Sequence, residues 1–307
     1  MKRLESVLFG PESQARLWWT HTALAVLIGL RIVLGPYRQL DPTPDGLFRP
    51  TWFLSWLPGM PSATAFAVMQ VIGGLAVVAF VLRRWPRATF ALAWVVYLVL
   101  AGLRESRGKI MHNDVLLLLT SVPFLVAPLT PGRRDRTPDD RFGWPINTGI
   151  AVVTLGYFFA GYWKLMRSGL SWVTSDNVRL SIAWGPKPAV GRWDAFADFV
   201  SASPWLGKVI AATTLAFEIS FPVALFVRRA RVPYAAIATI LHLSTYFIFG
   251  LDYWAWIGVL WILFVDWPAV LARWQARRRG PATAPEFAGE FPPRGSPVPR
   301  GAGDTVS

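Results

Sequence analysis

The chain alternates long apolar runs with short polar intervals rich in arginine or proline. Runs at 16–34, 63–82, 88–103, 114–130, 145–166, 205–227, 233–250 and 253–271 are each near the roughly 20 residues that a helix needs to cross a bilayer core. The pattern predicts an all-α fold, a polytopic integral membrane helix bundle of about eight transmembrane helices. The run at 114–130 is the least regular, because Pro123 and Pro128 interrupt it. Residues 35–62 are rich in Pro, Gly and Trp, and they place Trp52, Phe53 and Trp56 where amphipathic rings settle at an interface, so a re-entrant or interfacial loop is expected. Within 167–204 the mixed polarity of 176–184 and 192–200 predicts amphipathic helices lying on the membrane surface, placed to form a lid. The domain organisation is a transmembrane domain at 1–272 and a tail at 273–307. The end of that tail holds too few large apolar residues for a core and is expected to be disordered.

Composition supports the membrane reading. Hydrophobic residues make up 53% of the chain and charged residues only 16%, below the quarter or so usual in soluble domains. A formal charge of +13 raises nucleic acid as a partner, but the basic residues fall in short clusters between apolar runs, where topology explains them better. With no cysteine there is no disulfide, thiolate or cysteine-ligated metal chemistry, and no metal site is assigned. Met1-Lys2-Arg3 is not followed by the apolar stretch and cleavage site of a signal peptide. Placing the N-terminus inside puts the clusters at 83–87, 133–136, 228–231 and 277–279 on the cytoplasmic side. The expected location is therefore the cell membrane, multi-pass, with both termini cytoplasmic and the segment 167–204 external.

Ionisable groups inside apolar runs are rare and demand a partner or a wet cavity. Lys164 closes the fifth run, and helical spacing sets Gly149, Val153, Gly156 and Ala160 on its face. His112 precedes the run before it and is expected at the same membrane level. A poorly solvated lysine can present a neutral amine as base or nucleophile, with an imidazole passing the proton. The competing reading is a lysine that lifts its ammonium to the interface at a helix C-terminus. For Asn113 and Asp114 a helix cap competes with a site. Glu218 lies well inside its run, and Pro222, lacking an N–H, is expected to leave the Glu218 carbonyl open. His242, near mid-depth, suits either packing or a proton path. Tyr157, Tyr162 and Trp163 line a flat apolar slot or belong to an interfacial belt. His21 and Arg31 in the first run need partners that the sequence does not name. No phosphate-binding glycine loop, zinc-peptidase motif or serine-nucleophile elbow is present.

The stretch Tyr157-Phe158-Phe159-Ala160-Gly161-Tyr162-Trp163-Lys164-Leu165, followed by Ser168-Gly169-Leu170-Ser171-Trp172, resembles the signature of vitamin K-dependent gamma-carboxylase-like proteins, which share the horizontally transferred transmembrane (HTTM) domain. His112-Asn113-Asp114-Val115-Leu116 and the run from Glu218 through Leu241-His242 are similar to that family in order and character. The resemblance covers most of residues 10–272. It implies a membrane enzyme in which Lys164 acts as base toward a reduced quinone of the menaquinol or vitamin K hydroquinone type, with His112 as its partner. The chain has no room after the last run for the large extramembrane domain that handles the peptide substrate in the carboxylases, so the resemblance bears on quinol chemistry more than on glutamate carboxylation. Expected partners are the lipid bilayer, a lipid quinol and, in a non-catalytic reading, a protein held through residues 167–204. A further alternative is a proton-coupled transporter using Glu218 and His242.

Overall fold

The computed structural model describes residue 5 and residues 7–41, 43–107, 112–129, 135–184 and 194–278. In chain order the main helices are α1 (Gln14–Leu34), α2 (Ala63–Val81), α3 (Pro86–Glu105), α4 (Val115–Leu125), α5 (Asp140–Ser168), α6 (Asn177–Trp184), α7 (Asp194–Ala202), α8 (Pro204–Ser220), α9 (Arg231–Phe249), α10 (Trp254–Phe264) and α11 (Trp267–Arg278). One-turn helices at Ser171–Thr174 and Val223–Phe226 flank α6 and α8. Side chains cap three helix starts: Ser13, Ser62 and Asp139 accept hydrogen bonds from the first-turn amides of α1, α2 and α5. Gly169, with φ of 56°, closes α5.

Among the described residues, six helical segments are long and apolar enough to cross a membrane: Gln14–Leu34, Ala63–Val81, Pro86–Glu105, Asp140–Ser168, Pro204–Phe226 and Arg228–Phe249. A seventh crossing results if Trp254–Phe264 and Trp267–Arg278 act as one bent span. The protein is thus all-α and built as a multi-pass membrane protein, with fewer full-length helices than the eight expected. The run at 114–130 gives only the 11 residues of α4, about 17 Å of helix against a core of about 30 Å. Pro123 withholds a backbone donor within it, and the helix ends two residues later. The run at 253–271 breaks between Phe264 and Trp267, where Asp266 accepts from the amide of Ala269 at 3.1 Å.

The bundle occupies residues 1–269. Its core gathers Leu24, Ile28 and Ile32 of α1, Phe80 of α2, Phe90 and Tyr97 of α3, Leu117 and Phe124 of α4, Ile150 and Val153 of α5, and Leu260 of α10. Helices in lipid gain little from burying apolar surface and associate through close packing and polar bonds, so small residues mark their contacts. At Gly73, a Cβ would lie 2.8 Å from Ile32 Cδ1 and 2.9 Å from Val96 Cγ1, which brings α1, α2 and α3 together. In the loop 35–62, Tyr37, Leu40 and Leu54 are buried while Trp52 and Trp56 are exposed, the arrangement expected of an interfacial segment. The amphipathic stretches predicted in 167–204 form α6 and α7, which share a small core of Ile182, Ala197, Val200 and Ile248. Residues 270–307 form a second unit. Its described part, 270–278, is helical, with the Arg278 guanidinium 3.6 Å from the centroid of the Trp274 ring; the tail beyond lies outside the described residues.

Polar contacts fasten both ends of the bundle. At one end Glu12 pairs with Arg16 at 2.5 Å and Arg228 at 2.9 Å, the Ala15 amide donates to Asp135 at 2.9 Å, and Arg83 lies 4.9 Å from the Trp18 ring. The interhelical arginines at 83–87 and 228–231 therefore collect on one side. At the other end Arg31 donates to Asp114 at 2.8 Å and to Asp252 at 2.7 Å, while the Tyr97 hydroxyl donates to Asp114 at 2.7 Å. Arg104 completes the group, 3.5 Å from Asp114 and 3.6 Å from Asp252. Asp114 precedes α4 but makes no side-chain cap, because both its oxygens are committed to this network. His21 finds no carboxylate: it is packed among Phe80, Phe90 and Phe124.

Candidate functional site

The site is built on the C-terminal half of α5. Its buried positions there are Tyr157 and Gly161, with half-buried Lys164 one turn further, spaced i, i+4, i+7 on one face. The expected strip through Gly156 and Ala160 departs from this, since Ala160 is exposed. Gly161 is where α8 comes closest: a Cβ added there would meet Glu218 Cβ at 2.9 Å and Ile219 Cδ1 at 3.1 Å. That close approach brings the Lys164 ammonium onto both carboxylate oxygens of Glu218. The Trp172 ring packs 5.4 Å from the same ammonium, and its π face favours the positive charge.

Glu218 sits two residues before α8 ends. Pro222 cannot extend the helix, but the carbonyl of Glu218 is not left open as the sequence suggests: the Phe221 amide donates to it at 3.3 Å. The chain resumes as Val223–Phe226, and the Tyr234 hydroxyl donates to the Ser220 carbonyl at 3.0 Å, satisfying another acceptor at the break.

Two turns before Lys164 on α5, Tyr157 and His242 meet, with 2.5 Å between the hydroxyl and Nε2. Tyr157 stacks on Phe221, ring centroids 4.0 Å apart, and its edge meets Trp256 at 5.6 Å. His242 lies 5.0 Å from the Tyr253 ring and 5.5 Å from Trp256. Burial, with the Glu105 carboxylate adding, pushes the Tyr253 hydroxyl above the usual tyrosine value. His112 reaches this cluster by its backbone. It is exposed with φ of 57°, and its carbonyl and that of Asn113 accept from Trp256 Nε1 at 3.2 and 3.1 Å. The hydrogen-bond partner of the Lys164 ammonium is thus Glu218, and the His112 imidazole makes no hydrogen bond among the described residues. Trp163 is exposed, with Arg167 5.6 Å above its ring.

A cavity of about 450 Å³ lies between α6, α8 and α9, walled by Trp172, Ile182, Phe217, Leu241, Thr245 and Ile248 among others. Its wall is largely apolar, with Asn177, Ser181, Thr213, Thr214, Ser244 and Thr245 as its polar points. Ile240, 66% exposed, stands at its rim on the outward surface of α9. Trp172 belongs both to this wall and to the ammonium contact, so its ring links the ion pair to the cavity, while Lys164 and Glu218 themselves do not line it. Trp172 Nε1 is buried without an acceptor among the described residues. The sequence marked Lys164, Glu218, Tyr157 and His242, but joined Lys164 with His112 and Glu218 with His242, and missed the pairs Lys164–Glu218 and Tyr157–His242 and the place of Trp172 in the wall; the only signal for Trp172 was its position eight residues beyond Lys164. Compared with known proteins, the chain matches no family model, no curated relative and no solved structure.

Proposed function

We propose that the protein is a membrane enzyme performing acid–base chemistry on a lipid-borne hydroquinone, of the gamma-carboxylase-like type that its sequence resembles, with Lys164 as base and Glu218 as its partner. The observation that carries this reading is the Lys164–Glu218 pair linked through the Trp172 ring to a largely apolar cavity of about 450 Å³, within the range of small-molecule sites. The cavity walls suit a flat apolar ring, and the idle N–H of Trp172 suits a ring oxygen. A bound hydroquinone would supply two weakly acidic hydroxyls and two electrons.

The chain's own residues then do the following. Transfer of one proton from Lys164 Nζ to Glu218 converts ammonium and carboxylate to amine and carboxylic acid without changing the net charge, which a poorly solvated site tolerates. The free amine is a base, and accepting a proton at Nζ restores an ammonium held by the Trp172 ring. Tyr157 and His242, hydrogen-bonded two turns deeper on α5 than Lys164, form a second proton-carrying pair whose cluster reaches the His112 carbonyl through Trp256.

The test is oxygen consumption by the full-length protein in lipid nanodiscs supplied with a reduced naphthoquinone. Lys164→Met and Glu218→Gln should each lower the quinol-dependent rate by about 100-fold or more, the contribution of a general base, and His112→Ala by much less. Wild-type protein without quinol-dependent turnover, or Lys164→Met with an unchanged rate, would sink the proposal.

A further inference from the structure

Away from this site, the turn between α2 and α3 carries Arg83 and Arg84, the first turn of α3 carries Arg87, and among the described residues none of the three has a carboxylate partner. The turn is held in an unusual backbone: Arg83 and Trp85 have φ of 60° and 45°, a left-handed conformation costly for bulky residues. The effect is to fold the Arg83 guanidinium back over Trp18 and Phe80, 4.9 and 5.5 Å from their ring centroids. Its Nη2 is buried and has no acceptor. Loss of water holds the Arg83 guanidinium below the usual arginine value, as expected of a cation lacking a counter-ion. Arginine stacked on aromatic rings with an idle N–H is suited to a phosphate.

The same turn ends a groove. A channel of about 370 Å³ runs between α1 and α2, with Gly29 and Gly74 among its lining and Val26, Val33, Val81 and Leu82 along its walls. It follows α1 for about 10 Å, and Leu82 at its end is the residue before Arg83. Every lining residue is apolar or glycine, and Val33 and Leu82 are more than half exposed. An apolar channel that leads to three unpaired arginines matches a molecule with a hydrocarbon chain and an anionic head.

We propose that the α1–α2 face binds an anionic phospholipid, its acyl chain in the groove and its phosphate on Arg83 and Arg84. This site is independent of the Lys164 chemistry. Native mass spectrometry of the full-length protein in detergent, with phosphatidylglycerol or phosphatidylcholine added, tests it. Phosphatidylglycerol should be retained preferentially. Arg83→Gln and Arg84→Gln should each weaken that retention about fivefold, and Val78→Trp, which fills the groove from its exposed side, should weaken it as well. Arg84 is exposed, so Arg84→Gln tests the idea even if the Arg83 variant folds poorly. Equal retention of the two lipids, wild-type retention in Arg84→Gln, or no effect of Val78→Trp would overturn it. So would inorganic phosphate displacing the lipid completely at millimolar concentration, which would show that the arginines bind phosphate without the chain.

Discussion

Moving a charge out of water is expensive, and Lys164 and Glu218, with side chains 23% and 8% exposed, are kept together by that cost. Removing one partner leaves the other uncompensated. Lys164→Met should therefore destabilise the folded protein by about 3–5 kcal/mol, whereas Lys164→Met combined with Glu218→Leu should recover most of the loss, as read by unfolding in a denaturing detergent titration. Tyr37 offers a separate test. Its hydroxyl is buried without a hydrogen-bond partner; burial, then Asp114, pushes it above the usual tyrosine value, and Arg31 and Arg104 pull the other way. The unfolded hydroxyl ionises near 10.0, so this contribution to stability is complete below that pH and is lost as pH rises from there through the folded value. Tyr37→Phe should flatten the decline in unfolding midpoint above pH 10. Lys164 and Glu218 were each conspicuous in the sequence as charges in apolar runs. Their pairing was not, because 54 residues separate them and helical spacing carries no information across helices.

At the scale of elements, Gly161 sets how closely α5 and α8 approach. Gly161→Ala would place a methyl carbon 2.9 Å from Glu218 Cβ, next to the backbone where little can yield. The substitution should cost about 1–3 kcal/mol and lower the quinol-dependent rate while both site residues remain, measured by unfolding and turnover together. The hydropathy pattern located the six long helices to within a few residues at most ends, since apolar length and end-capping are local properties. It overstated the length of α4 and missed the bend in the α10–α11 run, because averaged hydropathy does not register a single Pro123 or the break at Val265 and Asp266. Helical spacing places the small face of α5 correctly at Gly149 and Val153, which are buried, but not at Ala160, which is exposed while Gly161 packs on α8; with four glycines and two alanines along the helix, only the partner helices decide which are used.

For the whole molecule, the group of Arg31, Asp114, Asp252, Arg104 and Tyr97 joins α1, α3, the start of α4 and the α9–α10 loop, segments far apart in sequence. Arg31→Met should unfold the bundle more readily than any single apolar truncation at the same end, by about 3–5 kcal/mol. Asp252→Asn should cost less, since that carboxylate is 29% exposed. The sequence marked Arg31 as needing a partner and assigned Asp114 to capping; the ionic role emerges only when four segments converge.

Trp172 is shared by two compartments, one face against the ammonium and its indole in the cavity wall. Whatever occupies the cavity and shifts that ring also changes how well the ammonium is held, and linkage requires the reverse with equal magnitude. Occupancy and proton count are then one coupled quantity. Ligand binding should release or take up protons by a fractional number, visible as a dependence of binding heat on the ionisation enthalpy of the buffer. In Trp172→Leu, which has no π face, that dependence should vanish.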